Sequence, residues 1–79
     1  MAEISDVDQL LDAKGLTCPL PLLKAKQAIN KMASGEVLEV QCTDAGSVRD
    51  FQVFCEQSGH VLLQQTEADG EFAHWVRKA

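Results

Sequence analysis

The side chains of this chain that could do nucleophilic, redox or metal chemistry are few: Cys18, Cys42 and Cys55, with His60 and His74. Of the three thiols, only Cys18 has a sequence environment that suggests reactivity. It lies in "GLTCPLPLLKAK", between a glycine turn and two prolines, directly ahead of an alanine- and leucine-rich run. A residue before proline is pushed out of the α region, so Cys18 is expected at the N-cap of the helix that follows. Pro19 then falls at N1 and Pro21 at N3, where the missing N–H groups have no helical partner anyway. Together the prolines stiffen the first turn. Free amides and the positive end of the helix dipole would then face the sulfur. Such surroundings lower a thiol pKa from about 8.5 into the range of roughly 3.5–7.5. Lys14 is placed to support the same thiolate. The expectation is an exposed, nucleophilic Cys18.

Several chemistries are excluded by what stands nearby. The position three residues on is Pro21, so dithiol exchange through C-x-x-C is ruled out. A phosphatase loop would need an arginine shortly after the cysteine and a glycine-rich cradle, but position 24 is Lys. A cysteine–histidine pair needs a positioned imidazole. If a hairpin turns at Asp69-Gly70, His74 pairs with Gln65 and His60 lies about 17 Å further along the strand. Both histidines are then distal, and no metal site is expected. A lone activated thiolate without base or oxyanion machinery is suited to carrying a group. Sulfane sulfur fits, because a persulfide forms and is released by attack of sulfur on sulfur.

The elements that must position this thiol follow from periodicity. "DQLLD", residues 8–12, reads as a short strand. From Pro19 to about Ala33, Leu22, Ala25, Ile29 and Met32 recur at steps of three and four, which predicts a helix stopped by Ser34-Gly35. "EVLEVQCT", 36–43, alternates as a strand. Asp44 or Ser47 can cap a second helix with Val48, Phe51, Phe54 and Cys55 on one face and Gly59 at its end. "HVLLQQT" and "EFAHWVRK" form two strands joined by the Asp69-Gly70 hairpin signal. The order βαβαββ, with right-handed crossovers, predicts an α/β two-layer sandwich, a four-stranded mixed sheet with two helices on one face. Cys42 and Cys55 fall on apolar faces and are expected in the core, where burial makes a thiol inert.

Seventy-nine residues are enough for one small domain, here taken as residues 1–79. The net charge of −5 is uneven: no acidic residue stands between Asp12 and Glu36, while Lys14, Lys24, Lys26 and Lys31 give that segment +4, leaving −9 elsewhere. The basic island surrounds Cys18. An acidic chain lacking an Arg/Lys-aromatic surface argues against direct nucleic-acid binding. No apolar run is long enough to span a membrane, and the acidic start "MAEISDVD" lacks signal-peptide features, so a cytoplasmic protein is expected.

"LDAKGLTCPLPLLKAK" resembles the opening of the TusA/SirA/YedF-like sulfur-carrier family, marked by Cys-Pro-x-Pro at the start of the first helix. Gly35-Glu36, "VRDFQVFC" and the Asp69-Gly70 turn before a strand ending Arg77-Lys78 extend the resemblance from Leu11 to about Lys78. It implies a sandwich like the C-terminal domain of bacterial initiation factor 3. It also implies that Cys18 takes a persulfide from a cysteine desulfurase or rhodanese-like donor and relays it to an acceptor protein. The protein then works with partner enzymes as a sulfurtransferase-type carrier, its persulfide covalent and no separate cofactor bound. Known outlets of the family are tRNA thiolation, molybdenum-cofactor enzymes and sulfur oxidation. Pro19, Pro21, Arg49 and Asp50 match by position. The residue between the prolines, often glutamate in tRNA-thiolation members, is Leu20 here.

On a helical wheel Leu20 and Leu23 fall about 160° and about 100° from Leu22, among polar residues that include Lys24. Two leucines outside the core arc and beside the thiol predict a partner contact, to which Lys24 and Arg49 would add charge. Trp75 is expected on the opposite hairpin face from Leu63 and Val76. Two other readings stay open: a regulatory protein-binding module with an incidental thiol, and a redox sensor using Cys18.

Overall fold

The computed structural model of the chain describes residues 7–79, so most of the acidic opening stretch lies outside the described residues. The elements are β1 (Gln9–Asp12), α1 (Leu20–Asn30), β2 (Val37–Cys42), α2 (Ser47–Ser58), β3 (Val61–Ala68) and β4 (Glu71–Arg77). This is the expected βαβαββ order. The sheet runs β1-β2-β4-β3, with β1 parallel to β2 and the other neighbours antiparallel.

The alternation in β2 sends Leu38, Val40 and Cys42 to one face, all fully buried. Ala25 and Ile29 from α1, Met32 just beyond it, and Phe51 and Cys55 from α2 join them in one cluster, so both helices cover the same side of the sheet. The hairpin turns as expected, with Asp69 (φ 53°) and Gly70 (φ 77°) in the left-handed region that a two-residue turn of this hand requires. Gly59, at φ 86°, ends α2 with its N–H on the Cys55 carbonyl.

Three local expectations shift. First, α1 is shorter than its periodicity. It closes at Lys31, where the Lys31 N–H bonds the Ala28 carbonyl and the Met32 N–H the Ile29 carbonyl, and Met32 packs into the core from the following turn. Ser34-Gly35 therefore forms a later turn rather than the stop. Second, Gly46 is the N-cap of α2, with no side-chain cap bond. Ser47 turns inward to His74, while Asp44 accepts the Cys18 N–H through Oδ2 and the Gly46 N–H, one residue ahead of the helix, through Oδ1. Third, the β3–β4 register slips between Leu62 and Gln64, a bulge that pairs Leu62 with Val76. Leu62, not Leu63, packs against the core there. Trp75, opposite Glu39 and Gln64, alternates with the buried His74 and Val76 and is half-buried on the helix-free side.

His74 pairs with Gln65 as expected and is a core residue. It stacks on Phe51 at 4.5 Å and shares hydrogen bonds with Ser47 Oγ (2.9 Å) and Gln65 Nε2 (3.1 Å). The Gln65 amide donates to Nδ1, which leaves the proton of the neutral ring on Nε2, donated to Ser47. Burial pushes this imidazole down to about 4.

Candidate functional site

Two neighbouring parallel strands, each followed by a helix, deliver both helix starts to the same end of the sheet. The carboxyl ends of β1 and β2 thus bring together the β1–α1 segment, which carries Cys18, and the start of α2. Side chains of the β2–α2 connection staple the first segment down. Thr43 Oγ1 accepts the Gly15 N–H at 2.9 Å, and Asp44 Oδ2 accepts the Cys18 N–H at 2.9 Å. Gly15 sits at φ 84°, a conformation that an added Cβ would strain.

The start of α1 is offset by one residue from the expectation. Pro19 is the N-cap, Leu20 is N1 and Pro21 is N2, so Cys18 lies just outside the helix. Both prolines still occupy positions where no helical bond is lost. Pro21 is buried, which anchors the turn to the core. The amides are fewer than expected: the Leu20 N–H is taken by the Thr17 carbonyl at 2.9 Å.

Cys18 is exposed, whereas Cys42 and Cys55 are buried. Its sulfur meets a carboxylate. Sγ donates to Asp50 Oδ2 at 3.0 Å across 32 residues of sequence. That hydrogen bond, followed by partial desolvation and the negative charges of Asp50 and Asp44, raises the thiol pKa above its ordinary value. The expected standing thiolate is therefore corrected. The helix end still favours an anion, but two carboxylates outweigh it. Lys14 does not counter them, because its ammonium bonds Gln41 Oε1 at 2.9 Å and pairs with Asp12 at 3.3 Å.

Burial pushes the other thiols the same way for a different reason, Cys55 up to about 11. Cys42 also rises, against a hydrogen bond from Ser47. Among the described residues no three His, Cys, Asp or Glu side chains cluster as a metal site, and no helix is long and apolar enough to cross a membrane.

Around the thiol, Leu20 and Leu23 are 44% and 46% exposed, and Lys24 is exposed on the same helix. A groove of about 360 Å³ runs between the helices, lined by Leu22, Lys26, Arg49, Asp50, Val53 and Phe54 among others. Lys26 Nζ lies 5.6 Å from the centre of the Phe54 ring, a cation–π contact. The groove thus unites Arg49 with Asp50, while Lys24 lies outside it. Sequence reasoning gave Asp50 no contact with the thiol. The signal available was topological: parallel β1 and β2 require the two helix starts to be neighbours.

Comparison with known proteins agrees with this geometry. A family model described as "Sulfurtransferase TusA" matches residues 9–78. The chain is 49% identical over 76 residues to the sulfur carrier protein TusA of Allochromatium vinosum, covering 96% of this chain and all of that one. It is 45% identical over 71 residues to the sulfur carrier protein TusA of Pseudomonas putida, covering 90% and 89% of the two chains. The crystal structure of a SirA-like protein from Desulfitobacterium hafniense superposes with a TM-score of 0.79 at 27% identity, covering 87% of this chain and 95% of that one. With a family model matching residues 9–78 and relatives similar over nearly the full length, this chain belongs to the TusA family.

Proposed function

We propose that the protein is a sulfur carrier: Cys18 accepts a sulfane sulfur as a persulfide from a donor enzyme and relays it to an acceptor protein. The observation that carries this reading is the placement of Cys18. It is the one exposed cysteine, on a turn fixed by two prolines and stapled through Asp44, while the other two thiols are buried. A carrier sulfur must be reachable by two different partners in turn, and a buried thiol is not. Membership of a family whose relatives are named sulfur carriers supports the same reading.

The chemistry asks little of the carrier itself. The Cys18 sulfur attacks the outer sulfur of a donor persulfide, the donor S–S bond breaks and the donor cysteine departs as a thiol; a second thiol later removes the transferred sulfur from Cys18. A cysteine desulfurase or rhodanese-like enzyme fits as donor. Leu20 and Leu23, exposed beside the thiol, provide apolar contact for partners, and Lys24 and Arg49 provide charge. The acceptor lies in tRNA thiolation, molybdenum-cofactor assembly or sulfur oxidation, with Leu20 separating this chain from the glutamate-bearing tRNA-thiolation members.

Intact mass after incubation with a cysteine desulfurase and cysteine tests the proposal. The expected result is a gain of one sulfur atom that disappears in Cys18→Ser. No gain with an active desulfurase or with glutathione persulfide refutes it and favours a regulatory binding module.

A further inference from the structure

Sulfur-to-sulfur displacement leaves one matter open at this site: where the proton of Cys18 goes. Two carboxylates reach this residue, with different tasks. Asp44 Oδ2 holds the backbone N–H and so fixes the turn. Asp50 Oδ2 lies on the thiol itself, 3.0 Å from Sγ. Asp50 stands in the first turn of α2 and lines the groove between the helices, as does Arg49. On the β1 side the candidate cation, Lys14, is engaged by Asp12 and Gln41. The charges bearing on the thiol are therefore those of Asp50 and Asp44.

A thiol must lose its proton before or as it attacks, and a carboxylate at hydrogen-bond distance from S–H has the geometry of a general base. The geometry points to Asp50 as the proton acceptor of Cys18, a catalytic residue of the sulfur-accepting step. This inference rests on the carrier reading. In the step, Sγ bonds to the outer sulfur of a protonated donor persulfide, R–S–SH, as its own proton passes to Asp50 Oδ2. The donor S–S bond breaks, and its electron pair leaves on the donor cysteine sulfur as a thiolate. Reactants and products each carry one negative charge, on Asp50 before and on the donor thiolate after. The donor goes from persulfide to thiol level as Cys18 goes from thiol to persulfide, so no external oxidant or reductant enters. Asp50 then returns its proton to the donor thiolate or to water.

The same carboxylate has a second effect between transfers. It keeps the sulfur as a thiol, which small electrophiles attack far more slowly than a thiolate. Asp50 thus protects the empty carrier and activates it only when a sulfur electrophile is seated. The two effects respond oppositely to one substitution.

Asp50→Asn preserves size but removes both the charge and the capacity to take a proton. Alkylation of Cys18 by iodoacetamide at pH 7 should become faster, by about tenfold for each unit by which the thiol pKa falls. Loading from glutathione persulfide, followed by intact mass, should become slower by about tenfold or more. Asp50→Glu, which keeps a carboxylate, should recover part of the loading rate. Loading of Asp50→Asn at the wild-type rate with an unchanged pH profile overturns the role of Asp50 and leaves the carrier reading standing. A parallel fall in alkylation and loading, with thermal unfolding unchanged, also overturns it, because that pattern reports altered access. Failure of the wild-type protein to load from either glutathione persulfide or a desulfurase overturns the carrier reading and this inference with it.

Discussion

His74 should make the fold acid-sensitive in a window that its burial defines. The ring is fully buried between Phe51, Ser47 and Gln65, and burial lowers its pKa from 6.5 to about 4. Its Nδ1 already accepts a hydrogen bond from the Gln65 amide, so a second ring proton would meet a donor. The folded pKa lies below the unfolded one, so the unfolded chain binds this proton first as pH falls. The stability tied to neutral His74 is present in full above pH 6.5, declines as pH drops toward 4, and shows no further loss below that. From these two pKa values the loss is about 2 kcal/mol by pH 5 and about 3 kcal/mol by pH 4. A domain of this length has a total of roughly 4–12 kcal/mol, so the effect is large. Urea unfolding at pH 7 and pH 5, for wild type and His74→Gln, isolates it. The variant should be less stable at pH 7 but lose about 2 kcal/mol less between the two values. Titration of the His74 ring by NMR in the folded protein should show no protonation near pH 6. Equal pH dependence of the two proteins, or a folded-state midpoint near 6.5, refutes the reasoning.

Exposure alone should separate the three thiols. Iodoacetamide should modify one cysteine in the native protein, Cys18, and all three in denaturant, as intact mass will show; native labelling of Cys55 would contradict its burial. Leu20→Asp with Leu23→Asp should shift the thermal midpoint by no more than a few degrees, because both side chains are about half exposed. Sulfur uptake from a protein donor should fall by about tenfold in that double variant if the leucines form the contact. An unchanged uptake rate removes them from the interface.

Much of the architecture is written locally. The steps of three and four in α1 and α2, the alternation in β2 and the Asp69-Gly70 turn each encode one element. Their order restricts the sheet to few topologies. Cys18 was legible as the exposed thiol because proline acts on its immediate neighbours, and the exposure of Leu20 and Leu23 follows from the helical wheel. What failed locally were single-residue offsets. Pro19 rather than Cys18 took the cap, and the slip at Leu63 handed its core place to Leu62. Each is settled by the fit of an element to its neighbours, to which periodicity is blind.

The protonation of the thiol was not legible at all. Reading outward from Cys18 along the chain finds Lys14 and a helix dipole, and so a thiolate. Folding turns Lys14 to Asp12 and Gln41 and sets Asp50, 32 positions away, on the sulfur. Sequence by itself determined the fold, the exposed cysteine and the family. Only the tertiary structure decided which charges that cysteine meets, because electrostatic contacts act through space, and the parallel pairing of β1 with β2 joins two helix starts that the chain keeps apart.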